Sequence, residues 1–95
     1  MNEIKQSWEE FLKKPFPNDY AGVEIEEIDL TSLDTFTAGC IDTFVERGRL
    51  DRKQINILKG CSGELDKIVS HLNGEAKEYY EHLRILAERV LRDVS

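Results

Sequence analysis

The stretch DRKQINILKGCSGELDKIVSHLN, residues 51–73, decides the fold. On a helical wheel of 100° per residue with Leu58 at zero, Ile55, Cys61, Leu65, Ile68, Val69 and Leu72 all fall within roughly 80° of it. Lys53, Lys59, Lys67, Ser70 and His71 lie outside that arc. Such a spacing predicts a helix whose apolar face is wide enough to need neighbours on more than one side. Asp51 is placed to cap it. Gly60 and Gly63 fall away from the stripe, and each costs about 1 kcal/mol against alanine in a helix interior. The stripe keeps its phase across both, so a continuous helix is expected rather than a break at 60–63. Another chain segment passing close behind the helix would explain the glycines.

The neighbours come from either side in sequence. Residues 31–47 form a second helix capped by Thr31 or Ser32, with Leu33, Phe36, Thr37, Cys40, Ile41 and Phe44 inward. Thr37 is spaced to bond back to the carbonyl of Leu33. Gly48 ends this helix. Asn73-Gly74 makes the next turn, and a last helix runs from Glu75 to Asp93. Ala76, Tyr79, Tyr80, Leu83, Leu86, Ala87, Val90, Leu91 and Val94 form its stripe, while Ile85 stands among charges on the opposite side.

A short helix over 3–13, capped by Asn2, precedes them. Ile4, Trp8, Phe11 and Leu12 share one face, and Glu9–Lys13 and Glu10–Lys14 are spaced as i,i+4 pairs. Pro15 and Pro17 stop it. A helix this short is marginal alone, so it must dock through Trp8 and Phe11. Between it and the second helix, residues 15–30 read as an irregular extended connection. Val23 and Ile25 alternate like a strand, but no second strand is expected to pair with them, and a lone strand is not stable. The expected fold is therefore all-α: a small antiparallel bundle of three main helices and a short N-terminal helix, four in total, in one domain spanning 1–95. The first helix should cover the groove the other three leave open.

Composition narrows function more than it names one. The 95 residues are 40% hydrophobic and 34% charged, a foldable balance rather than a disordered one, with net charge −6. That charge disfavours general binding to nucleic acid or anionic lipid. No stretch has the roughly 18 apolar residues of a membrane span, and the first residues lack a secretory pattern. The expectation is a cytoplasmic protein whose two cysteines, Cys40 and Cys61, stay reduced.

No constellation for chemistry emerges. Cys40, Cys61, His71 and His82 lack the close spacings of a zinc site, and Glu78 with His82 is four apart and unduplicated where a di-iron bundle needs i,i+3 pairs on facing helices. There is no phosphate loop, nucleophile elbow or zinc-protease helix. No cofactor, metal or catalytic residue is assigned, and an enzyme is not expected. The leading expectation is a non-catalytic protein–protein interaction module, of adaptor, inhibitor or toxin-neutralising type. Its surface would comprise the acidic connection with Glu24, Glu26 and Glu27, the aromatics Phe16 and Tyr20, and Ile85. The partner would be another protein or a second copy of the chain. The alternative is a dimeric nucleic-acid-binding regulator using the basic turn Arg47, Arg49, Arg52 and Lys53.

Overall fold

The computed structural model describes residues 2–94, Asn2 by its backbone alone. Four helices carry the chain: α1 (Asn2–Leu12), α2 (Leu30–Arg47), α3 (Arg52–Val69) and α4 (Gly74–Val94). Two short strands, β1 (Glu24–Ile25) and β2 (Ile28–Asp29), precede α2. The all-α bundle expected from the stripes is what forms.

α3 is continuous through Gly60 and Gly63. Asp51 caps it, accepting from the Gln54 amide at 2.7 Å, while the Gln54 side chain accepts from the Asp51 amide at 3.0 Å. Two donors that the first turn would leave open are thus satisfied reciprocally. Leu58, Leu65 and Ile68 are fully buried, each stabilising by about 1.5–3 kcal/mol relative to exposure. Contrary to the suggestion that another segment passes behind α3, an added Cβ at Gly60 or Gly63 would meet nothing within 4 Å.

α2 starts one residue earlier than expected, and its cap is Asp29 rather than Thr31 or Ser32. The Asp29 carboxylate accepts from the Thr31 amide at 3.0 Å and from the Ser32 hydroxyl at 3.1 Å. Thr37 is wholly buried and donates to the Leu33 carbonyl at 2.7 Å. Gly48, at φ 75°, ends the helix in the left-handed region and donates to the Phe44 carbonyl at 2.7 Å. Phe36, placed in the buried stripe by its spacing, is instead 61% exposed. It sits at the edge of the arc, on the side where no neighbour lies.

α2, α3 and α4 run up, down and up. Cys40 Sγ lies 3.7 Å from the Gln54 carbonyl, which makes α2 and α3 antiparallel across their short turn. Tyr79 and Tyr80, near the start of α4, reach Asp34 and Leu30, near the start of α2, so those two helices are parallel. α1 docks against α4 and α2. It runs antiparallel to α4, with Ser7 bonded to His82 at 2.9 Å and Phe11 against Tyr79 with ring centroids 4.7 Å apart. It thus closes the groove beside the α2–α4 pair, as expected, and buries Ile4, Trp8 and Phe11.

Two details of α1 differ. The helix ends at Leu12, whose side chain is 60% exposed, and Lys13 and Lys14 form no ion pair with Glu9 or Glu10 among the described residues. The last turn tightens ahead of Pro15, with Lys13 and Lys14 amides bonding three residues back to Glu10 and Phe11. The Asn2 side chain, expected as its cap, lies outside the described residues.

The connection before α2 also departs from an extended strand without a partner. It folds on itself: β1 and β2 pair antiparallel with Ile25 opposite Ile28. The two residues between, Glu26 and Glu27, both have positive φ, 52° and 65°. That is the geometry of a tight hairpin turn usually made by asparagine and glycine. Ile28 is buried, and Phe16, Tyr20, Val23 and Ile25 pack on the core.

Candidate functional site

A broad surface depression lies at the end where α2 and α4 begin. One wall is the segment Lys14–Tyr20, closed by a single 3-10 turn over Asn18–Tyr20; the other is the start of α4, from Asn73 to Tyr79. The groove is open and measures about 710 Å³. Its shape follows from the sequence. Pro15 and Pro17 forbid helix, holding the chain extended past α1. Phe16 anchors that chain edge-on to Tyr79 and Tyr80, with centroids 5.7 and 6.5 Å apart.

The lining is of two kinds. Pro15, Phe16, Pro17 and Tyr20 offer ring faces, and Ala76 keeps the α4 side low. Around them stand the carboxylates Asp19, Glu75 and Glu78, against a single cation, Lys14. Such a surface favours a ligand with both apolar and positively charged groups.

Beneath the groove lies a polar pair that the sequence alone did not reveal. The Tyr79 hydroxyl donates to the Asp34 carboxylate at 2.6 Å, joining α4 to α2. Burial pushes the Tyr79 phenol far above its usual value, and the Asp34 charge adds to that. Burial also raises Asp34, while the hydrogen bond from Tyr79 opposes the rise. Tyr80, likewise raised by burial, donates to the Leu30 carbonyl at 3.2 Å. Both phenols therefore hold their protons at neutral pH and tie helices together.

The residues expected at a partner surface are brought partly together. Phe16 and Tyr20 are not the fully surplus aromatics anticipated, since each is half-buried against the core; their remaining surface lines the groove. Glu24, Glu26 and Glu27 are exposed on the hairpin. Glu26 meets His71 at 2.6 Å, which sets the hairpin beside the α3–α4 connection and hence beside the groove's Asn73 edge. Ile85, 36% exposed, stands two turns along α4 from Glu78 and outside the groove.

Arg47, Arg49, Arg52 and Lys53 gather at the α2–α3 turn, all exposed. The Asp51 cap already occupies the donor of Gln54 there. Cys40 and Cys61 are buried free thiols on facing helices, both raised by burial. His82 sits half-buried against the edge of Phe11, and burial lowers its pKa. Among the described residues no three metal-ligating side chains cluster, and no helix is long and apolar enough to cross a membrane.

The exposed Phe36, at 61%, and Ile57, at 39%, were missed by spacing alone. Their clue was position: each is at the margin of its stripe, where exposure depends on which side the neighbouring helix occupies. No family model, curated protein or solved structure matches the chain.

Proposed function

We propose that this chain is a non-catalytic protein–protein interaction module that holds a short apolar and basic segment of its partner in the groove between residues 14–20 and the start of α4. The carrying observation is the lining: proline and aromatic faces ringed by Asp19, Glu75 and Glu78, with Lys14 the one opposing charge. Prolines set the wall rigidly, so little ordering entropy is lost when a segment settles against it. The neighbouring hairpin, with Glu24 and Glu27 exposed, extends the acidic rim toward an approaching cation. An adaptor, an inhibitor or a toxin-neutralising protein all use a surface of this kind.

The reading is tested by selecting binders from a random peptide library and mapping them by amide chemical-shift perturbation. Enriched sequences should combine lysine or arginine with an apolar residue, perturb residues 14–20 and 74–79, and bind at least tenfold more weakly to Glu78→Lys. Binders that perturb other surfaces, or that tolerate Glu78→Lys, would overturn it. So would binding of duplex DNA with a steep loss of affinity in salt, which would transfer the function to the basic turn.

A further inference from the structure

A short pattern occurs once on each of two facing helices. α2 carries Phe36-Thr37-Ala38-Gly39-Cys40 and α3 carries Ile57-Leu58-Lys59-Gly60-Cys61. In each, a large apolar residue is followed three positions later by glycine and four later by a buried cysteine. The two cysteines lie in the α2–α3 seam, Cys40 bonded to the Gln54 carbonyl and Cys61 beside Thr37 across from it. A residue four positions before its cysteine is turned about 40° around the helix. On both helices that turn leads out of the seam toward solvent, as the 61% exposure of Phe36 and 39% of Ile57 record. Because the helices are antiparallel, Phe36 and Ile57 stand within about one helical turn of each other along the axis. Both emerge on one side of the α2–α3 seam, each about a third of the way along its own 18-residue helix, and together they make the apolar part of that face.

Nothing among the described residues covers this patch, and a Cβ added at Gly39 or Gly60 would meet nothing within 4 Å. Charge is distributed unequally to either side of it. At the turn end the exposed Arg47, Arg49, Arg52 and Lys53 outnumber the exposed Glu46 and Asp51; at the other end stand the exposed Glu24 and Glu27 of the hairpin.

We propose that this face is where a second copy of the chain docks, antiparallel, about a two-fold axis passing near Phe36 and Ile57. Such an axis lays patch on patch and sets the basic end of each copy on the acidic end of the other. The glycines let the helices lie close. A face about 27 Å long and about 18 Å wide offers roughly 500 Å² per copy, near 1,000 Å² in all, the lower bound for a specific interface. The dimer is therefore weak and concentration-dependent. It leaves the lining of the groove beside α4 free and shares with the proposed peptide binding only the hairpin carboxylates Glu24 and Glu27.

Sedimentation of the full chain from about 5 to about 500 μM tests this, since a reversible dimer follows mass action. The mass should rise from 11.0 kDa toward twice that, with less association in high salt. Phe36→Asp, and separately Ile57→Asp, should remain single chains at the top concentration with unchanged helical circular dichroism. Arg49→Glu with Arg52→Glu, and Glu24→Lys with Glu27→Lys, should each fail to self-associate yet pair with one another when mixed. A wild-type chain that stays at 11.0 kDa throughout would overturn the proposal. So would association indifferent to both aspartates. Failure of the charge-reversed chains to pair would overturn the antiparallel arrangement.

Discussion

Replacing Tyr79 with phenylalanine removes one hydroxyl and leaves the ring stack intact, so it isolates the bond to Asp34. A hydrogen bond to a charged acceptor contributes about 1.5–3 kcal/mol, and the lower end applies because Asp34 is only half-buried and keeps part of its water. At neutral pH Tyr79→Phe should therefore destabilise by about 1.5 kcal/mol, lowering Tm by roughly 6–12 °C for a domain of this size. The loss should depend on pH with a definite sign. Burial raises the Asp34 pKa and the Tyr79 hydroxyl opposes it, so removing that hydroxyl raises the folded value further. A carboxyl raised on folding stabilises most below its unfolded pKa and loses that contribution as pH climbs through the folded one. The variant should lose more on that climb than the wild type. In acid, where Asp34 is protonated in both, only a neutral bond of about 0.5–1 kcal/mol separates them. Urea unfolding from pH 3 to 7 reads the gap directly. A gap that is constant, or that narrows as pH rises, refutes the reasoning.

Leu65→Ala, at a fully buried position, should cost about 2–5 kcal/mol, whereas Lys67→Ala, two residues away on the exposed face, should be nearly silent; thermal melts that match would refute the wheel. Gly63→Ala places a methyl in open space on a helix interior and should stabilise by about 0.4–1 kcal/mol, a result read as a raised denaturation midpoint. Burial, followed by the charge of Lys14, holds His82 below the ordinary histidine range. Its contribution is complete above the unfolded value and is lost as pH falls from there through the lower folded one. Wild-type stability should thus decline below about pH 6.5, and His82→Gln should flatten that slope; parallel pH profiles would refute it.

What could be read from the chain beforehand was whatever rests on local chemistry. The stripes of α3 and α4, the Asp51 cap, the Gly48 stop and the Thr37 back-bond each depend on residues within a turn or two of one another. Features needing a distant neighbour were less legible. Phe36 lies on the apolar arc, but whether an arc's margin is covered depends on where the next helix packs. Tyr79 and Asp34 are separated by 45 positions and meet because α2 and α4 are parallel, an arrangement no spacing encodes. The hairpin was hidden for another reason. Glu26 and Glu27 occupy a turn conformation that glutamate rarely adopts, so the usual signature of asparagine and glycine was missing. The groove was half legible: proline and aromatic residues marked one wall, and the start of α4 supplied the other.

The stack of Trp8 on Phe11, 5.6 Å between centroids, has a practical consequence. This indole is the chain's sole tryptophan, and it reports on a helix attached to the rest through a 17-residue tether from Lys13 to Asp29. Peeling of α1 would wet the indole and redden its emission while the bonds from Tyr79 and Tyr80 to α2 stayed closed. Fluorescence and far-ultraviolet dichroism followed side by side would then separate the detachment of one arm from collapse of the whole bundle.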